Sequence, residues 1–324
     1  MTTASASPLA SRQMLGIALA LLGAAFFATK GIFNKLALGV GIDTLTTLTW
    51  RMIVSVPVFV TLGVLGYRRK RAEAGSDATP VLTRTTLLQA MGVGLLGYYV
   101  ASYLDFSALT YITAQLDRLI LLTYPFFVLL FGALFFRRQV TPLMLAALVV
   151  SYCGIALIFA TDFAIEGDNV VLGSLLVFGS AVVYAAYQIL AKPLIDRLGA
   201  QLFTSIAMSA AGPAVIIHFL ASHPLSDLAI DGYGLVLMLA VGLISTVLPA
   251  YCISGAIGMI GPERTAIIGN VSPVVTVSLA ISVLGENFTL WHAAGTALVL
   301  FGVWLFGRKR KPKPADVAAA EVEP

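Results

Sequence analysis

The sequence predicts an all-α polytopic membrane protein of ten transmembrane helices, arranged as two inverted five-helix repeats with both termini cytoplasmic. Three observations predict it. Hydrophobic residues make up 59% of the 324 and charged residues only 11%, giving a mean hydropathy of +0.93, whereas soluble domains carry about 25% charged residues. The apolar residues fall in blocks of about 20, the length at which a helix crosses about 30 Å of hydrocarbon. The basic residues between those blocks segregate to one side. Backbone in lipid must be hydrogen-bonded within its own segment, and no alternating barrel pattern is present, so the blocks are helices.

The first block, 13–38, follows Arg12 and contains "LLGAAFFA", which imitates a cleaved signal peptide. Its apolar run continues to Leu38, past the about 7–15 residues of a signal core, so a retained helix is expected. It carries Lys30 and Lys35 in "AAFFATKGIFNKLA". The second block, 44–66, holds Arg51 and runs into the basic loop Arg68 to Arg71. Block 86–109 holds Asp105, and block 113–136 holds Asp117 and Arg118. Blocks 141–161 and 170–195 flank an acidic loop, and 200–221, 232–256, 262–284 and 288–307 complete the set.

With the N-terminus inside, the inner loops and tails hold sixteen of the 20 Lys and Arg residues: Arg12, Arg68, Arg69, Lys70, Arg71, Arg84, Arg137, Arg138, Lys192, Arg197, Arg264, Arg308, Lys309, Arg310, Lys311 and Lys313. The outer loops hold none and carry Asp43, Asp162, Glu166, Asp168, Asp227, Asp231 and Glu286 instead. This positive-inside pattern requires an even number of spans. The net charge of +4 therefore meets an anionic lipid leaflet rather than nucleic acid. Residues 1–12 read as a cytoplasmic tail, and 308–324 as a basic anchor running into a disordered end.

Sliding the chain against itself by 148 residues lays "GLLGYYVASYLDFSALTYI" on "GLISTVLPAYCISGAIGMI", pairing Gly94 with Gly242 and Tyr103 with Tyr251. The same offset pairs Pro125 with Pro273 and Gly154 with Gly302. An offset of 157 pairs Gly16 with Gly173, Ala24 with Ala181 and Lys35 with Lys192. Two halves follow, 13–161 and 170–307, each of five helices. Five is odd, so the halves enter the membrane in opposite senses, which is the plan of alternating-access transporters.

At this point the chain resembles the drug/metabolite transporter superfamily with two EamA domains, over about 13–307. The resemblance rests on "GIALALLGAAFFATKGIF", on the Arg in "LTWRMIV", and on "SALTYITAQLDRLILLTYPFFVLLFGALFF" with its counterpart "GPERTAIIGNVSPVVTVSLAISVLGE". The acid that commonly closes the latter is Glu286; Arg138 stands in its place in the first half. The resemblance implies solute export by a secondary transporter of the bacterial inner membrane, similar to amino-acid exporters. It also implies a structural role for Arg51, whose family counterpart is independent of substrate.

A charge at mid-membrane costs about 2.5–3.5 kcal/mol on insertion scales, so the intramembrane charges are the candidate site. Lys30 lies about 12 Å from the outer end of its helix, and Arg51, Asp105 and Arg118 lie about 7–11 Å from the same side. Phe26, Lys30 and Asn34 share one helical face, Tyr98, Ser102 and Asp105 another, and Tyr184, Gln188 and Lys192 a third. The expectation is that Lys30 anchors a substrate carboxylate, with Tyr98, Tyr99, Tyr103, Tyr184 and Tyr187 around the rest. Asp105 or Asp117 then receives an ammonium group or a coupling proton. The alternative is structural: Lys30 pairs permanently with Asp105, and Arg51 or Arg118 with Asp117. Arg118 and Asp117 point about 100° apart, so at most one faces a given cavity. Pro125 and Pro273 are expected as hinges, or as static kinks, and Asn270 as a backbone or substrate partner.

The function expected is export of small zwitterions, amino acids including aromatic ones, by proton exchange or facilitated diffusion. An organic-phosphate or other anionic-metabolite exchanger is the second reading. A lipid-acting enzyme lacks a paired His/Asp or His/Glu arrangement here. No cofactor is expected, and His218, His223 and His292 are too scattered for a metal site. "GVGLLG" at 92–97 fits a nucleotide-loop pattern, but no strand precedes it, and close helix contact explains its glycines better.

Overall fold

Large apolar side chains face outward all around the molecule: Leu134, Ile217 and Leu175 are 69%, 67% and 63% exposed. Such a surface is tenable only against lipid. The structure is a computed structural model that describes residues 8–74, 82–136, 142–166, 169–260, 268–269 and 271–307. Among these no strand occurs, and eight helices are long and apolar enough to cross a membrane; Ser272–Leu284 and Leu290–Leu305 are shorter apolar helices.

In chain order the helices are α1 (Pro8–Gly39), α2 (Thr44–Ala74), α3 (Arg84–Ala108), α4 (Ala114–Leu121), α5 (Tyr124–Phe136), α6 (Pro142–Glu166), α7 (Asn169–Leu198), α8 (Ala200–Ser222), α9 (Gly232–Leu239, continuing to Ile260), α10 (Ser272–Leu284) and α11 (Leu290–Gly307). The expected fourth block is thus two helices with a break at Leu122 and Thr123. Thr113 caps α4 by accepting from the Leu116 N–H at 3.1 Å. Pro125 falls in the first turn of α5 and Pro273 in the first turn of α10, where a missing N–H costs nothing. Neither proline therefore kinks a continuous helix; each opens a new one.

Two helices carry π-helical turns instead, Leu95–Val100 within α3 and Ala240–Val247 within α9. In the first, the Ala101 N–H bonds back to the Leu96 carbonyl; in the second, Leu248 bonds back to Leu243. Two turns at the acidic end depend on glycine. Gly41 (φ 83°) lets the Ile42 N–H return to Ala37 at 3.0 Å, and Gly285 (φ 67°) lets Glu286 return to Ala280 at 3.1 Å. Both are left-handed terminations that other residues adopt at a cost. Asp43 then starts α2 by accepting from the Leu45 and Thr46 N–H groups at 2.8 and 3.1 Å.

Contacts between the helices are reciprocal. α1 packs on α9 and α10, while α7 packs on α3 and on α4 with α5. α2 packs on α8, and α6 on α11. Small residues allow these approaches. A Cβ added at Gly154 would lie 2.5 Å from the Gly295 carbonyl oxygen, and one at Gly302 would lie 2.7 Å from that of Ala147. Gly94 is equally tight against Ala207, at 2.5 Å from its Cα, and Gly97 against the Tyr187 ring, which accounts for two glycines of "GVGLLG"; Gly92 has open space beside it.

Gly154→Val should therefore push α6 off α11 and cost about 1–3 kcal/mol of stability. A lowered unfolding temperature of the detergent-solubilised protein is the expected result; an unchanged one would mean the two helices separate freely.

Candidate functional site

A cavity of about 350 Å³ lies among α1, α2, α3, α4, α7, α8 and α9 and the first residues of α5 and α10. It extends along α7 past Tyr184, Tyr187, Ala191 and Ile195 to Ala200, the end that carries Lys192, Asp196 and Arg197. Its opposite end stops at the intramembrane charges Lys30, Arg51, Asp105 and Arg118.

Lys30 is buried, with Nζ 2.5 Å from Asp105 Oδ2. The ammonium also lies over the Phe27 and Phe106 rings, 5.3 and 5.2 Å from their centroids. Arg51 donates from Nε to Thr246 Oγ1 at 2.9 Å, and Thr246 donates in turn to the Val241 carbonyl inside the π turn of α9 at 2.8 Å. Its guanidinium carbon lies 5.5 Å from the Phe106 ring centre. Arg118 donates from Nη2 to Ser272 Oγ at 2.5 Å and lies over Phe27 at 4.6 Å. The cations thus alternate with rings, an arrangement in which each ring face takes part of the charge.

The wall beyond is tyrosine. Tyr187 donates to Tyr98 Oη at 3.0 Å, Tyr184 stacks on Tyr187 at 5.6 Å, and Tyr124 meets Tyr184 edge-on at 5.1 Å. Gly97 sits so close to the Tyr187 ring that no side chain fits there.

Past the charged end the two halves of the chain are clasped. The Glu286 carboxylate accepts from the Ala114 N–H at 2.7 Å and the Gln115 N–H at 3.3 Å, at the positive end of α4. Asp162 accepts from Thr113 Oγ1 at 3.0 Å and pairs with His292 Nε2 at 2.9 Å, a buried His/Asp pair not expected from the sequence, where the two lie 130 residues apart, and one that stands off the cavity lining. The Thr289 N–H points at His292 Nδ1 at 3.3 Å, so Nδ1 is the bare nitrogen and Nε2–H donates to Asp162. Among the described residues no three His, Cys, Asp or Glu side chains stand together to hold a metal ion.

Of the residues expected from sequence, Lys30, Tyr98, Ser102, Asp105, Arg118, Tyr184, Tyr187 and Gln188 line this cavity. Asn34, Tyr99 and Tyr103 do not. Asn34 donates to the Phe106 carbonyl at 3.2 Å, and Tyr99 bonds His218 Nδ1 at 3.0 Å, with Tyr103 edge-on to the same imidazole. Asn270 lies outside the described residues. Asp117 is buried but off the lining, and neither arginine forms an ion pair with it among the described residues. Sequence reasoning missed Phe27, Tyr124, Thr246 and Ser272, which do line it. The repeat offsets contain the signal: 148 pairs Tyr98 with Thr246 and Tyr124 with Ser272, and 157 pairs Phe27 with Tyr184.

A helical membrane protein whose buried charges converge on one interior cavity is, as a class, a solute transporter. The EamA-like transporter family matches residues 14–160 and 171–308, and the chain belongs to that family. It is similar to the uncharacterized transporter YcbK of Bacillus subtilis (strain 168), 27% identical over 298 residues that cover 87% of this chain and 89% of YcbK. It is also similar to the uncharacterized transporter sll1319 of Synechocystis, 26% identical with 93% and 96% of the two chains covered. A solved crystal structure shares the fold at a TM-score of 0.56 and 18% identity, covering 91% of this chain and 97% of that one. The chain is therefore a multi-pass transporter of the cell membrane and not an enzyme.

Removing one member of a buried ion pair strands the other, at about 3–5 kcal/mol. Lys30→Met should lower the unfolding temperature markedly, and Lys30→Met/Asp105→Asn should recover most of the loss. A double variant as unstable as the sum of its parts would show that the pair is not a unit.

Proposed function

We propose that the chain is a secondary transporter exporting small carboxylate-bearing metabolites by alternating access between two inverted five-helix halves, 13–161 and 170–307, with both termini cytoplasmic. The observation that carries the reading is a cavity lined by both halves, with three cations and one carboxylate at its blind end and tyrosines along its wall. The reciprocal helix contacts support the inverted repeat: α1 against α9 mirrors α7 against α3 under the sequence offsets. The count of ten takes α4 with α5 as one span and the shorter apolar helices α10 and α11 as the last two.

The positive-inside rule makes the open end cytoplasmic, the end at which an exporter loads. Release requires the clasp at Glu286 and Asp162 to open. The π turns of α3 and α9, together with the helix breaks ahead of Pro125 and Pro273, are the points where the backbone gives. Amino acids, aromatic ones included, are one substrate class that fits a carboxylate-reading site. Net anionic metabolites such as organic phosphates are the other, favoured by the excess of cations in the lining. Asp105 and Asp117 are the candidate proton carriers if export is proton-coupled.

Proteoliposomes given labelled aromatic, branched and hydroxy amino acids, a cationic dye and a sugar phosphate test this reading. Uptake of a carboxylate or phosphate solute, with the cationic dye excluded, is expected. Transport of the dye alone would overturn it.

A further inference from the structure

The three cations at the blind end of the cavity are not equivalent. Lys30 is spent: its ammonium and the Asp105 carboxylate, 7% and 1% exposed, form a pair of zero net charge. Arg51 and Arg118 are as deeply buried, at 5% and 7% exposed, yet neither forms an ion pair among the described residues. Each gives one N–H to a neutral hydroxyl, Thr246 or Ser272. Each keeps a buried donor with no partner among the described residues, Nη1 of Arg51 and Nε of Arg118. A guanidinium cannot shed its proton to escape this, as a lysine can, and its planar fork is matched to carboxylate and phosphate oxygens. Both side chains line the cavity.

We infer that Arg51 and Arg118, rather than Lys30, read the substrate's anionic group, and that the cavity selects organic acids of net negative charge over zwitterions. The inference rests on the transporter reading above and deepens its substrate class. Its second half follows from the acid inventory of the lining. Asp105 is the one carboxylate among the lining residues; Lys30 Nζ lies 2.5 Å from its Oδ2, while its Oδ1 is buried with no hydrogen-bond partner among the described residues. A substrate ammonium would have to share that carboxylate with Lys30 and would add a fourth cation to a lining that holds three against one acid, whereas an anion neutralises charge already in place. The body of the ligand then falls against Tyr98, Tyr184 and Tyr187, whose rings offer apolar and edge contacts to an aromatic or aliphatic group. The arrangement also gives Arg51 a ligand-directed use in place of the structural one expected from the family pattern.

The test uses three solutes with one ring and three charge states: 3-phenylpropanoate, phenylalanine and 3-phenylpropanamide. Each is labelled and offered to proteoliposomes holding the full chain. The anion should be transported or bound about tenfold better than phenylalanine and better still than the amide. Arg51→Gln and Arg118→Gln should each lower the anion-to-amide ratio about tenfold, with Arg→Lys at either site restoring part of it. A merely structural arginine would depress anion and amide alike and leave the ratio unchanged, which would overturn the assignment. Should the Gln variants fail to fold, the wild-type order decides, and phenylalanine ahead of phenylpropanoate contradicts the inference. Vesicles that move none of these solutes, nor any of the wider panel, would instead remove the transporter reading on which it stands.

Discussion

A charge buried in a bilayer must be paired or kept beside water, and this molecule is built around four that answer that demand differently. Lys30 on α1 and Asp105 on α3 answer it by pairing. The pair fixes the two helices at one depth and sets Phe27 and Phe106 around the ammonium. Arg51 on α2 and Arg118 on α4 answer it by facing the cavity, each steadied by one hydroxyl from the other half of the chain. Those two bonds, with the Glu286 carboxylate on the first turn of α4, tie residues far apart in sequence across one closed end.

Backbone irregularity gathers in the same region. Lipid punishes any backbone group left unbonded, so helices break at membrane depth only where protein or a cavity supplies partners. Here the π turns of α3 and α9 lie beside Tyr98 and Thr246, and the break between α4 and α5 lies beside Leu122 and Tyr124, all on the cavity. Thr246 serves twice, closing the π turn with its hydroxyl proton and accepting from Arg51 with its oxygen. Sequence, backbone and charge therefore meet in one residue type at one place.

Most helices were legible because hydropathy is a strong signal and lipid leaves few alternatives: α1, α3 and α7 end within a few residues of their apolar blocks. The break in the fourth block was not, since "LILLTYPFF" is apolar throughout and a proline at a first turn looks, in sequence, like one inside a helix. At the site, periodicity put Tyr98, Ser102 and Asp105 on one face, and they do line the cavity. It could not say that Tyr99 and Tyr103 turn to His218, because that depends on which helix lies behind α3. Charge counting found the three buried bases Lys30, Arg51 and Arg118 but not their division of labour. Only the 2.5 Å contact of Lys30 with Asp105 separates the neutralised cation from the two that remain open.

Alternating access to the blind end of the cavity is the central claim, and thiol accessibility at Ser102 tests it most directly. Cys153 and Cys252, both free thiols, would be replaced by serine, Ser102→Cys introduced, and a membrane-impermeant maleimide applied to vesicles of each orientation. The account predicts labelling from the side of the basic loops in the resting protein. It also predicts labelling from the opposite side during turnover with a transported solute. Labelling from one side alone, with solute or without it, would contradict it.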